Sequence, residues 1–232
     1  MKIAVIGAMG LEVSLLRDAL QNRRTSHIGR FEFHEGIIHG VPVVLSQSGI
    51  GKVSAAVATA LLIDKHSPDL IINTGTAGGL GDTSVHDLVW ATEVRHHDVD
   101  VTAFGYELGQ QAQMPAAFVP ESKWHCMMRD IAAQHGRELH EGLVVSGDSF
   151  IHDPERLRQI ERHFPKALAV EMEAAAIAQT CYLLDTPFVM LRAISDKAGE
   201  GDAVSYGQFV DEAGRISAAI NIDFMKEIQE ML

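Results

Sequence analysis

Three carboxylates stand where an apolar run gives way to a turn. Glu171 and Glu173 flank Met172 after the run ending in Ala169-Val170, and Asp196 follows Phe188–Ile194; Glu12, in the first turn of the helix after Lys2–Ile6, reads equally as an acid favoured by the helix dipole. Open α/β sheets bind ligands beyond the carboxyl ends of their strands, and core packing alone has no need of acids clustered there. What carboxyl groups offer at such a place is proton transfer and electrostatic stabilisation of positive charge. We therefore read them as an enzyme's active site. Glu171 and Glu173 add a constraint, because residues two apart on a helix face nearly opposite ways. For both to reach one pocket, the backbone there must be extended or just entering the helix.

The elements that must position these acids are legible in outline. Lys2–Ile6 predicts a buried strand, Gly7-Ala8-Met9-Gly10 a tight turn, and Leu11, Leu15, Leu16 and Leu20 a helix. Arg30–Ile38 and Val41–Ser48 predict consecutive strands, and Ser48–Lys52 a turn into a helix over Val53–Lys65. Leu70–Thr74 predicts another strand, followed by the glycine turn Gly75–Gly79, and His86–Val94 predicts the next. Residues 101–120 show no period and suit a long loop covering a site or a subunit contact. Further on, the pattern predicts a helix over Glu121–Gln134, a strand over Leu143–Ser146 and a turn over Gly147–Ile151. It then predicts a helix over Pro154–His163 and an Ala-rich helix over Ala174–Leu184. Lys197–Val204 reads as a lid-like loop before a last helix over Tyr206–Met231.

Several function classes drop out. The chain has 232 residues, 19 basic against 31 acidic, and a net charge of −12, which argues against binding polyanions. With 47% hydrophobic residues it can bury a sizeable core as a single domain over 1–232. Two isolated cysteines, Cys126 and Cys181, fit a reducing compartment. The start lacks a signal-peptide layout and no apolar run spans a bilayer, so a cytoplasmic location is expected. Gly7–Gly10 lacks G-x-G-x-x-G spacing, and GIGK at 49–52 lacks the rest of a Walker A loop. The histidines, 12 in all, are scattered without metal-ligand spacing, so no metal is expected.

Seven stretches carry a resemblance: KIAVIGAM with Glu12, SGIGKV, INTGTAGG, DVTAFGYE, VSGDSFI, VEMEAAAIA and RAISD, in this order along the whole chain. Together they resemble the bacterial 5′-methylthioadenosine/S-adenosylhomocysteine nucleosidases of the purine nucleoside phosphorylase and nucleosidase superfamily. The resemblance implies a three-layer α/β/α sandwich with a mixed central sheet, and a homodimer without cofactor. The implied activity is hydrolysis of the N-glycosidic bond of 5′-methylthioadenosine, S-adenosylhomocysteine and 5′-deoxyadenosine to adenine, in methionine salvage. By position, Asp196 would protonate adenine N7, Glu12 would activate water, Glu173 would hold the ribose hydroxyls, and Arg192 would pair with the acidic cluster. Substrate would be bound by Met9, Ile50, Thr76, Ala77, Gly78, Phe150, Ile151, Glu171, Met172, Ser195 and Tyr206. A neighbouring subunit would complete the 5′ pocket with its loop 101–115, including Phe104.

The sequence departs from the family at Thr76, at Tyr206 and at Gln110-Gln111-Ala112-Gln113, which is less apolar than the usual 5′-substituent segment. Three rival readings stay open at this point. They are a phosphorylase using phosphate as nucleophile, a futalosine-type nucleoside hydrolase, and a non-catalytic nucleoside sensor.

Overall fold

A computed structural model describes residues 1–199 and 203–231, with side chains described except over 203–208. The strands are β1 (Ile3–Gly7), β2 (Gln21–Ile28), β3 (Phe31–Ile38), β4 (Val41–Gln47), β5 (Leu70–Asn73), β6 (Thr76–Gly79), β7 (Leu88–His96), β8 (Leu139–Ser146), β9 (Ala167–Glu171) and β10 (Phe188–Lys197). The helices are α1 (Gly10–Ala19), α2 (Lys52–His66), α3 (His125–Gln134), α4 (Pro154–His163), α5 (Ala174–Leu183) and α6 (Ala203–Glu230).

All ten strands join one mixed sheet in the order β2-β3-β4-β1-β5-β10-β6-β9-β8-β7, and β7 also pairs back onto β10. Strand β10 is the hub. Its start, Phe188–Met190, lies parallel to β5, its middle, Leu191–Ala193, is antiparallel to β7, and Ala193–Lys197 lies parallel to β6. Serving two sheet segments buries both faces of the strand, and nine of its ten residues are buried. That is why it reads as a continuous apolar run.

Helices α1, α3 and α6 cover one face of the sheet through Val13, Leu16, Met128, Ile131, Phe224 and Ile228. Helices α2 and α5 cover the other, and they pack closely because alanines (Ala55, Ala58, Ala174, Ala175, Ala178) form the seam. The result is a three-layer α/β/α sandwich around a mixed sheet. Among the described residues no helix is long and apolar enough to cross a membrane.

The structure corrects several expected boundaries. Strand β2 has no counterpart in the sequence reading, because QNRRTSHI shows no apolar alternation. It is an edge strand paired only with β3, exposed along most of its length, so water rather than the core sets its residue types. The glycine stretch expected to be a turn contains strand β6, squeezed between β10 and β9. A Cβ added at Gly79 would lie 2.5 Å from Thr83 Oγ1 and 3.0 Å from an Ile194 methyl, so its glycines serve close packing.

Strand β7 starts at Leu88 rather than His86, and β8 starts at Leu139, four residues early. The helix expected from Glu121 divides into a 3-10 turn, Ser122–Trp124, and α3. Helix α6 begins at Ala203, so the lid expected over 197–205 keeps only Lys197–Gly199 as described non-helical chain or strand end.

Candidate active site

A cavity of about 450 Å³ opens beside the carboxyl ends of β1, β4 and β10 and those of β8 and β9, which run in the opposite direction in the sheet. Each carboxylate enters it from a different element.

Glu12 sits in the first turn of α1, where the helix dipole favours an acid. Its Oε2 accepts from the amides of Ala8 and Met9 at 2.8 and 2.9 Å, and its Oε1 accepts from the amide and hydroxyl of Thr76 at 2.8 and 3.1 Å. All four partners donate, as suits an ionised carboxylate, which only accepts. Gly75 makes this possible: with φ at +154°, its missing Cβ would stand 2.8 Å from Glu12 Oε1.

Glu171 ends β9, and Glu173 caps α5 with a backbone that is not yet helical. The extended entry demanded by their spacing is therefore present, and both line the cavity. Glu171 accepts from the Glu173 and Ala174 amides, from the Ser146 hydroxyl, and from Arg192 Nη2 at 2.8 Å. Glu173 Oε1 accepts from the Gly51 amide at 2.8 Å. Burial, followed by the neighbouring Glu171 charge, pushes the Glu173 carboxyl up to about 8.

Asp196 owes its placement to an irregularity in β10. Ile194 pairs with Ala77 and Asp196 with Gly78, so Ser195 is bulged out of register. The Ser195 hydroxyl donates to Asp196 Oδ1 at 2.7 Å. Burial raises the Asp196 carboxyl above the ordinary range, with the serine bond opposing it. A carboxylic acid held this way keeps a proton available closer to neutral pH.

Arg192 pairs with the acidic cluster, as the resemblance implies, but from behind it. It is buried behind Glu171, bonded to Glu171 and, at 2.8 Å, to Asn73 Oδ1, and it does not line the cavity. Expected among the catalytic residues, it stands instead as the counter-charge that holds Glu171 in place, without reaching the cavity.

The Phosphorylase superfamily model matches residues 2–228. The 5′-methylthioadenosine/S-adenosylhomocysteine nucleosidase of Shewanella piezotolerans is 47% identical over 230 residues, 98% of this chain and 100% of the relative. The chain belongs to this nucleosidase family of the phosphorylase superfamily. Solved nucleosidase structures superpose on it closely. That of the Neisseria meningitidis nucleosidase, in complex with methylthio-immucillin-A, has 48% identity and a TM-score of 0.95 over 97% of this chain and 99% of its own. That of the Colwellia psychrerythraea nucleosidase, in complex with adenine, has 40% identity and a TM-score of 0.92 over 97% and 94%.

Against that family pattern, the cavity brings together Met9, Glu12, Ile50, Thr76, Ala77, Gly78, Phe150, Ile151, Glu171, Met172, Glu173, Ser195 and Asp196. Phe104 is 81% exposed and does not line this cavity. Tyr206 lies outside the residues whose side chains are described. Sequence reasoning missed Ala8, Ser149, Val170 and Ala198 in the lining. It also missed Ser146, which accepts from the Ala175 amide at 2.8 Å while donating to Glu171. A signal for Ser146 existed: like Asp196, it is polar and ends an apolar strand.

Among the described residues the histidines of the 95–100 segment bond or pack singly. His96 bonds Gln179 at 3.0 Å, and the His97 ring packs on Gly147. Among the described residues Asp87, Glu138 and His140 do cluster, at the opposite, N-terminal ends of β7 and β8.

Proposed function

We propose that the chain hydrolyses the N-glycosidic bond of 5′-methylthioadenosine and S-adenosylhomocysteine, releasing adenine and the 5-substituted ribose. Adenine is a poor anionic leaving group, so the base needs a proton as the bond breaks. Asp196, raised by burial and oriented through Oδ1 by Ser195, supplies it to N7. Glu12, locked by four donors, takes a proton from the attacking water. Glu173 binds the ribose hydroxyls, and the carboxylates around the sugar stabilise the positive charge that develops on it. Met172 packs on ribose and base, and the backbone of Phe150 and Ile151 reads the adenine edge.

The observation that carries the reading is the placement of Glu12 and Asp196 along β6. Glu12 is bonded at Thr76 and Asp196 is registered on Gly78. Those two β6 positions lie about 7 Å apart along the backbone, and both carboxylates line the one cavity, as a base and an acid acting on one bond require. No Lys or Arg lines the cavity among the described residues, which disfavours phosphate as nucleophile.

The 5′ substituent is left to a second copy of the chain. Phe104 stands 81% exposed, and α2 and α5 expose Val53, Val57, Tyr182 and Leu183, an apolar surface suited to a homodimer that inserts loop 101–115 into the partner's cavity.

The test is adenine release from 5′-methylthioadenosine with and without phosphate. Equal release with free methylthioribose supports hydrolysis. Phosphate-dependent release of a sugar 1-phosphate overturns it and removes the water role from Glu12.

A further inference from the structure

The GIGK segment is no phosphate loop, and its lysine remains outside the cavity lining. We propose that Lys52 and Asp98 are positioning residues, which through Asp148 lock the turn carrying Phe150 and Ile151 to the turn that holds Glu173. This rests on the hydrolase reading above.

The lock is a closed ring of three hydrogen bonds between chain segments far apart in sequence. Lys52 Nζ donates to Asp98 Oδ1 at 2.6 Å, the Asp148 amide donates to Asp98 Oδ2 at 2.9 Å, and the Lys52 amide donates to Asp148 Oδ1 at 2.7 Å. Lys52 opens α2, so Asp148 serves that helix as an N-terminal cap lent by another turn. Asp98 has just left β7, and Asp148 follows β8.

The ring reaches the reaction through one residue. Gly51, at a left-handed φ of +93°, sends its amide to Glu173 Oε1 at 2.8 Å, while the next amide, that of Lys52, goes to Asp148. The donor that fixes Glu173 is thus covalently next to the donor that fixes the ring. A Cβ at Gly51 would stand 3.1 Å from Asp148 Oδ1, so the two turns already touch.

On its far side the Asp148 turn has no slack. The Gly147 amide donates to the Glu171 carbonyl at 3.1 Å, and a Cβ on Gly147 would lie 2.4 Å from the His97 ring. Ile50 from one turn and Ser149, Phe150 and Ile151 from the other line the cavity. Lys52 and Asp98 are only 19% and 29% exposed, so their charge-assisted bonds are partly shielded from water. Burial draws the Asp98 carboxyl up, but the Lys52 bond and the Asp148 amide outweigh it and hold it below the ordinary range.

The variants are Lys52→Met, which keeps the aliphatic stem, Asp98→Asn, which has one acceptor oxygen for two donors, their double, and Lys52→Arg. We measure kcat and KM for 5′-methylthioadenosine per folded molecule, with Tm and far-ultraviolet circular dichroism as controls. Displacing positioned groups by about 1 Å can cost about a hundredfold. Each disabling single variant is therefore expected to lose about 10-fold to 100-fold in kcat/KM, with the double no worse than about twofold beyond the worse single. Lys52→Arg is expected to recover most of the rate. Amide hydrogen exchange over 49–52 and 147–151 is expected to accelerate in both disabling variants, whatever the substrate proves to be.

A purely structural role would lower Tm and the folded fraction while leaving kcat/KM per folded molecule in place, and that result overturns the proposal. So do losses that multiply in the double variant, or unchanged exchange in the two turns. A wild-type protein that releases no adenine sinks the hydrolase reading instead, and the exchange data then decide whether the lock itself exists.

Discussion

Asp196 and Glu173 are both carboxyl groups moved upward by burial, Glu173 from 4.5 to about 8. In the proposed mechanism their tasks differ: one gives a proton to the base, the other grips the ribose hydroxyls. Replacing Asp196 by Asn removes the proton and keeps the shape. Adenine release should then fall by about 10²–10⁴-fold, with binding of a non-hydrolysable adenosine analogue nearly unchanged by calorimetry. Turnover near the wild-type rate would move the acid elsewhere. The raised carboxyls also set a pH dependence for the empty protein. Between pH 4.5 and about 8 the folded chain holds a proton at Glu173 that the unfolded chain has released. Stability therefore falls as pH rises through that window. The Tm of the unliganded protein should decline accordingly, and Glu173→Gln should flatten the slope, leaving the smaller contribution of Asp196. A slope equal to wild type in that variant would place the titration on another group.

At the scale of elements, the site depends on strand ends held in register by buried polar groups. Arg192 ties β10 to β5 through Asn73 and to β9 through Glu171. Removing one partner of a buried ion pair leaves the other charge uncompensated. Arg192→Leu should thus cost about 3–5 kcal/mol in urea unfolding, and adding Glu171→Gln should recover part of that loss. If Arg192→Leu alone is neutral, Glu171 is not charged behind the cavity. The junction of β5 and β6 is as tight. Gly75→Ala would press a methyl against Glu12 Oε1, 2.8 Å from where a Cβ must go. Steady-state hydrolysis should drop by at least about tenfold while adenine still binds, because the base side of the cavity is untouched. Loss of adenine binding as well would show that the strain spreads beyond Glu12.

For the whole molecule, one copy leaves the cavity without Phe104, which lies on its own surface. Sedimentation should show a dimer at assay concentrations. Phe104→Ala should raise KM for 5′-methylthioadenosine while leaving the affinity for free adenine in place, since adenine has no 5′ substituent. An equal effect on both ligands would argue that loop 101–115 does not complete the partner's cavity. The described chain brings Glu12, Glu173 and Asp196 to one cavity, and loop 101–115 is irregular, with a short 3-10 turn, Thr102–Phe104.

Local chemistry along the chain was enough to mark the acids and most of the architecture. Buried strands such as β1 and β10 declare themselves by continuous apolar runs, and Glu12, Glu171, Glu173 and Asp196 stand out because a core has no use for them. Edge strand β2 escaped because solvent sets its residues, and β6 escaped because packing between two strands demands glycines that otherwise signal a turn. Only the tertiary structure decided that Arg192 stands behind Glu171 rather than in the cavity, that Ser146 joins that cluster, and that the Ser195 bulge aims Asp196. Each of these depends on which strands become neighbours. The order β5-β10-β6-β9-β8 is settled by the closing of the sheet, over separations that no local pattern of residues records.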